Sequence, residues 1–205
     1  LPASIYRIGA VSGHSKTGAF NRSDFLYKMI QGCVQLGSAP TGNMMLDMMP
    51  VDYVTQTIVH LSDLLNLNSN SNSNSNSNSN SNSNSNSNKK VFHIVHPQPV
   101  PVDLLFKQLE LMGYPIQRLP YEQWREKLLK IIDTSPNHPL YAIASLFSPS
   151  SSNTTTDAKP LQFDTRNTST GLTDTSIICP AIDEKLLSTY VSYLIDNGLL
   201  NISES

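Results

Sequence analysis

The chain has 205 residues, with 14 lysines and arginines against 16 aspartates and glutamates, for a formal net charge of −2. Its 39% hydrophobic content suits one domain, or a large part of one, with a true core. That balance excludes the basic excess of a nucleic-acid binder, and no apolar run reaches the roughly 20 residues of a membrane helix. Leu1-Pro2-Ala3-Ser4 lacks the charged start and apolar stretch of a secretory leader. The two cysteines, Cys33 and Cys179, each lie in an apolar segment and read as buried thiols, with no disulfide framework or metal site. A cytoplasmic location is the expectation.

In chain order, Ser4 to Val11 reads as a strand already in mid-fold, which leads us to expect further chain before it. The stretch GAVSGHSKTG, Gly9 to Gly18, follows. It is not a P-loop, because His14 and Ser15 separate Gly13 from Lys16. It is not a nucleophile elbow, because Thr17 stands where the second glycine of G-x-S-x-G must be. Lys16-Thr17-Gly18 lacks the S-x-x-K and S-D-N that accompany K-T-G in penicillin-binding enzymes. A flexible loop after a strand also accounts for its glycines.

Apolar residues at Phe25, Leu26, Met29, Ile30, Cys33 and Val34 predict a helix over Asp24–Leu36, capped by Ser23 and stopped by Gly37. A loop over Ser38–Asp47 leads to a second helix capped by Asp52, with Val54, Ile58, Leu61 and Leu65 inward. Residues 68–88 alternate asparagine and serine, bury nothing, and read as a disordered insertion. Val91–Val95 reads as a buried strand, Val102–Met112 as a helix closed by Gly113, and Pro115–Leu119 as a short strand. Tyr121–Ile132 is predicted helical around Trp124, and His138–Phe147 is a further apolar helix. Residues 148–159 read as a disordered loop. Asp183–Asn197 is the last helix, with Leu186, Leu187, Tyr190, Leu194 and Ile195 inward and Gly198 behind it.

The five histidines show no metal-ligand spacing with cysteines or carboxylates, so no metal site is expected. His93 and His96 read as one core-facing and one strand-end histidine. Asp47 and Asp52 read as a loop acceptor and a helix cap, not an acid/base couple. From the residues alone the result is an α/β piece without an identified chemistry.

The ordered motifs resemble the C-terminal half of thioester reductase domains, members of the extended short-chain dehydrogenase/reductase superfamily. Such domains end some polyketide and nonribosomal peptide synthases, with a close relative in α-aminoadipate reductases. Tyr6-Arg7-Ile8-Gly9 resembles the family's Y-R-P-G strand end, with Ile8 in place of the proline. Gly13 to Gly18, Asn21 and Asp24-Phe25 resemble its G-x-S-x-T-G…N…D-[FD] loop. Met49-Pro50-Val51-Asp52-Tyr53-Val54, Val91-Phe92-His93-Ile94, Tyr121-Glu122-Gln123-Trp124, His138-Pro139-Leu140-Tyr141 and Cys179-Pro180-Ala181-Ile182-Asp183-Glu184 continue the match in order. The Asn-Ser tract is similar to insertions in polyketide synthases of simple-sequence-rich lower eukaryotes, which suggests a polyketide parent.

The resemblance implies a Rossmann-like sheet with a helical substrate-binding subdomain, all of 1–205 forming the C-terminal part of one domain. It implies that Arg7, Ile8, Gly9 and Val11 lie near the nicotinamide of NADPH. Ser12, Gly13, His14, Ser15, Thr17, Gly18 and Asn21, with Met49 and Val51, would line the channel for a phosphopantetheine-linked acyl thioester. The partners implied are an acyl carrier protein and upstream synthase domains, with no nucleic acid and no membrane. The implied reaction reduces a carrier-bound thioester to an aldehyde or alcohol. No tyrosine here has lysine four residues later and no G-x-x-G-x-x-G occurs, so the cofactor turn and the catalytic Tyr-Lys pair are expected upstream of Leu1. No catalytic residue is assigned within the chain, which is expected to be inactive alone. The alternative is a non-catalytic remnant that binds acyl chains or a carrier protein.

Overall fold

The computed structural model describes residues 3–71, 89–147 and 163–200. The chain divides into two units, one of Leu1–Val11, Asp47–Pro97 and Gln162–Pro180, the other of Ser12–Leu46, Gln98–Leu161 and Ala181–Ser205. Both mix helices with short parallel strand pairs, as an α/β fold requires. No helix among the described residues is long and apolar enough to cross a membrane.

In the first unit, strand β1 (Ala3–Ile8) pairs in parallel with β6 (Lys89–Ile94), placing Ile5 beside Val91 and Ile8 beside Ile94. Strand β2 (Val11–Ser12) follows after Gly9-Ala10, so the strand expected over Ser4–Val11 is broken. The break is stitched by backbone bonds: the Gly9 N–H donates to Ile94 O at 2.9 Å and the Met49 N–H to Ala10 O at 2.9 Å. Strand β5 (Met49–Pro50) runs straight into helix α2 (Val51–Ser71). Asp52 falls in the first turn of α2 and is not its cap, because the helix already starts at Val51. Met49, Tyr53, Val54 and Ile94 form the core, with Tyr6, Val11, Ile58, Ile177 and Cys179 packed against it. Helix α5 (Arg166–Gly171), which local periodicity did not signal, lies along β6.

In the second unit, helix α1 (Phe25–Leu36) buries Met29, Ile30, Cys33 and Val34 and ends at Gly37, whose φ of 64° needs no side chain to clash. Its cap is Asp24, not Ser23: the Asp24 Oδ1 accepts the Leu26 N–H at 2.8 Å. The loop expected over Ser38–Asp47 holds two short strands, β3 (Ser38–Thr41) and β4 (Met45–Leu46). Strand β4 pairs with β7 (Val100–Pro101), and β3 pairs in parallel with β8 (Gln117–Pro120). Between these lies α3 (Asp103–Leu111), and after them α4 (Tyr121–Thr134), whose Trp124 is fully buried and donates its indole N–H to Ser38 O at 3.2 Å. The apolar helix expected over His138–Phe147 is a 3-10 helix, Pro139–Phe147. It seats Leu140 against Gly32, where any Cβ would overlap that leucine. Helix α6 (Glu184–Asp196), capped by Asp183, buries Leu186, Leu187, Tyr190, Val191 and Leu194. Ile195 faces out at 36% exposure, so Val191 takes the core position expected of it.

Helix α2 takes in the first four residues of the Asn-Ser tract, 68–71. The remainder of that tract and the loop at 148–159 lie outside the described residues.

Candidate functional site

The residues singled out from sequence fall into two groups. Arg7, Ile8, Gly9, Val11, Met49 and Val51 belong to the first unit, and Ser12 to Asn21 belong to the second.

In the first unit, Gly9 follows the end of β1, and a Cβ there would meet Val95 Cγ1 at 3.3 Å and Met49 Cε at 3.7 Å. The strand end thus packs closely against its own core. Met49 is fully buried and Val11 packs beside it, so both side chains serve that core. Ile8 is 44% exposed, and Val51 lies exposed at the start of α2. Arg7 is exposed, and its guanidinium donates to His93 Nε2 at 3.4 Å. His93 Nδ1 in turn bonds Asp164 O at 2.9 Å. With Nε2 accepting, Nδ1 carries the proton and donates, so the ring connects Arg7 to the Asp164 carbonyl. The Asp164 carboxyl sits well below the usual carboxylate range because the Arg166 guanidinium bonds both its oxygens. His96 is buried with Nε2 3.1 Å from Pro180 O. The histidine on the strand, His93, is thus half-buried and bonded at the surface, and the buried one is His96 beyond the strand end; the described residues hold no cluster of three or more potential metal ligands.

In the second unit the loop is closed by its own backbone. The His14 N–H donates to Ala19 O at 3.0 Å and the Gly18 N–H to His14 O at 2.9 Å. His14 Nδ1 accepts the Lys16 N–H at 3.2 Å, which leaves the neutral ring's proton on Nε2. Thr17 Oγ1 accepts the Ala19 N–H at 3.4 Å. Asn21 Oδ1 takes the Ser23 N–H at 3.0 Å, and Asn21 O takes the Asp24 N–H at 3.0 Å, leading into α1. Ser15 is half-buried beside them.

Helix α6 fixes this loop from outside. The Tyr190 hydroxyl donates to Gly13 O at 2.9 Å and lies 2.8 Å from Ser12 Oγ. A phenol has one proton, so Ser12 must be the donor to the tyrosine oxygen. Phe20 sets its ring edge-on to Tyr190, centroids 4.7 Å apart. Gly18 has φ of 71°, and a Cβ there would run into Thr189 O and sit 2.6 Å from Tyr193 Cβ. Glycine is thus required twice over, by backbone conformation and by contact. Sequence reasoning placed Tyr190 in the core for its ring alone. The available signal was that a wholly buried tyrosine needs a partner for its hydroxyl.

Both thiols are unreactive in this setting. Burial pushes Cys33 and Cys179 each up to about 12, so neither forms appreciable thiolate at neutral pH.

A family model of the NAD-binding kind, described as Male sterility protein, matches residues 1–58. The terminal R domain of the myxalamid PKS-NRPS biosynthetic pathway is 32% identical in structural alignment, with a TM-score of 0.77 over all of this chain and 47% of that one. A linear gramicidin synthase polypeptide of Brevibacillus parabrevis is 29% identical over 210 residues, which is 100% of this chain and 4% of that protein. The L-2-aminoadipate reductase large subunit of Penicillium chrysogenum is 26% identical over 215 residues, 98% of this chain and 14% of that subunit. The chain therefore spans under half of the solved domain and a small share of these longer relatives. These matches support a thioester reductase domain of the extended short-chain dehydrogenase/reductase fold.

Proposed function

We propose that these residues form the substrate-binding part of an NADPH-dependent reductase that releases a carrier-protein-bound acyl thioester as an aldehyde or alcohol. The parent is read as a polyketide-type synthase acting in the cytoplasm. The observation that supports this most is the loop Ser12–Gly18, closed on itself and pinned to α6 through Tyr190 and Gly18. A loop ordered in this way holds the exposed Lys16 and Thr17 on a fixed backbone where an extended thioester arm can meet them. In the first unit the end of β1, with exposed Arg7 and Ile8 followed by Gly9, is the part assigned to the nicotinamide side.

When bound, the dinucleotide supplies the hydride. Adding that hydride and one proton to the acyl thioester breaks the C–S bond, giving the aldehyde and the free thiol of the carrier arm. The chain's own contribution is binding and orientation, since converting a tethered encounter into an aligned one accounts for a large share of such rate enhancements. Its 205 residues contain neither a glycine-rich dinucleotide turn nor Tyr-x-x-x-Lys, so the reading needs both from elsewhere in the polypeptide.

The test is a reductase assay on the natural polypeptide carrying these residues, with an acyl thioester on its carrier protein. Aldehyde release with matched NADPH oxidation is expected there, and none from the 205-residue chain alone. Oxidation by the isolated chain, or neither aldehyde nor alcohol from the whole polypeptide, overturns the assignment. The second result leaves the binding-module alternative standing.

A further inference from the structure

We infer that the groove between Lys16-Thr17 and the outer face of α6 is a subsite for a phosphate ester, and that it receives the phosphate of the pantetheine arm. This rests on the reductase reading above and adds a location and a charge requirement to it.

The groove measures about 510 Å³, and its walls carry Lys16, Thr17, Lys185, Ser192, Tyr193 and Asp196. Two lysines and one aspartate are the charged members of the lining, so its formal charge is +1 on a chain of −2. Among the described residues neither ammonium group has an ion-pair partner. The hydroxyls sort by what they already do. Ser188 and Thr189 give their protons to Glu184 O at 2.7 Å and Lys185 O at 2.9 Å, so neither can donate outward. Thr17 uses only a lone pair, for the Ala19 N–H, and its proton stays available. The donors presented to a ligand therefore include the two ammonium groups and the Thr17, Ser192 and Tyr193 hydroxyls. Two ammonium groups beside hydroxyl donors suit a tetrahedral oxyanion.

The walls are also held in place. Gly18 presses backbone to backbone against Thr189, and the Tyr190 hydroxyl ties down Gly13 and Ser12. Lys16 and Thr17 are thus carried on a loop fixed to the helix that bears Lys185 and Tyr193. A site built before its ligand arrives loses less freedom on binding.

A phosphate ester and free phosphate share this chemistry, and the experiment separates them. The natural polypeptide would be titrated calorimetrically with 4′-phosphopantetheine, with pantetheine and with inorganic phosphate. Phosphopantetheine is expected to bind about tenfold tighter than pantetheine, the size of two exposed charge contacts of up to roughly 1 kcal/mol each. That preference should shrink with added salt and disappear in the Lys16→Gln/Lys185→Gln double variant. Both lysines are exposed, and an unchanged unfolding midpoint would confirm that the variant folds. Equal binding of the two arms overturns the phosphate subsite while leaving thioester reduction intact. A preference that survives the double variant removes it from this groove. Binding of inorganic phosphate but not of the arm keeps the anion chemistry and overturns the assignment to the arm. No binding of any of the three, with aldehyde still formed from the carrier thioester, overturns the inference and spares the reductase reading.

Discussion

The Tyr190 hydroxyl donates to the Gly13 carbonyl and receives the Ser12 hydroxyl, all three groups buried. Replacing Tyr190 by phenylalanine keeps the ring against Phe20 but leaves the Gly13 carbonyl without its donor. A buried polar group stranded in this way costs about 1–3 kcal/mol, so Tyr190→Phe should lower the denaturant midpoint accordingly. Asp24 offers a pH test with a definite sign. Burial pushes its carboxyl above the ordinary 3.8, and the bonds from the Leu26 and Tyr27 N–H groups oppose that only in part. The folded state then holds its proton more tightly than the unfolded chain. Its contribution is present below the ordinary value and is lost as pH rises through the raised one. Asp24→Asn keeps a competent cap and removes the titration. The stability of the natural chain relative to this variant should therefore decline as pH rises from the ordinary 3.8 through the raised value and level off above it, read from urea midpoints at several pH values.

Among the elements, the short helix α5 has a task that its composition hides. Asn167 Nδ2 donates to Val91 O at 2.8 Å and Thr168 Oγ1 to His93 O at 2.8 Å, so the two side chains cover carbonyls along β6. At its other end His60 Nε2 bonds Gly171 O at 3.0 Å, and Gly171 packs on Leu61. An uncovered strand edge is a template for a second chain. The double variant Asn167→Ala/Thr168→Val should aggregate faster at equal concentration, followed by light scattering, while a substitution at exposed Thr170 should not. The sequence shows no period over Arg166–Gly171, because five polar residues and a glycine, two of them bonded to a strand, carry no apolar stripe. The same limit explains β3 and β4, whose pairing partners lie more than fifty residues away. Long helices fared better: α1 and α6 each carry a wide apolar face, α4 is anchored by Trp124 and Leu128, and Gly37 and Gly198 mark ends with φ of 64° in both cases. What failed there was single positions, Asp24 for Ser23 and Val191 for Ile195, which differ by one step or one turn around a helix.

At the scale of the whole molecule, the loop was legible as a motif and its support was not. Ser12 and Tyr190 are 178 positions apart, and no local spacing links them. The exposed Ile5 and Ile8 on β1, at 46% and 44%, fit a strand that pairs only with β6 among the described residues. The two units are threaded as six alternating segments, so neither can be cut out as one continuous piece. The latch on Gly13 has a consequence for how the chain is made. A ribosome delivers the loop well before the tyrosine that orders it. Until that tyrosine emerges the binding loop stays unfastened, and contacts of such long sequence separation form slowly. A premature stop after Ile182 would remove all of α6 and with it the fastening. Amide exchange across Ser12–Phe20 should then lose its protection in the truncated product, even though every residue of the loop is still there.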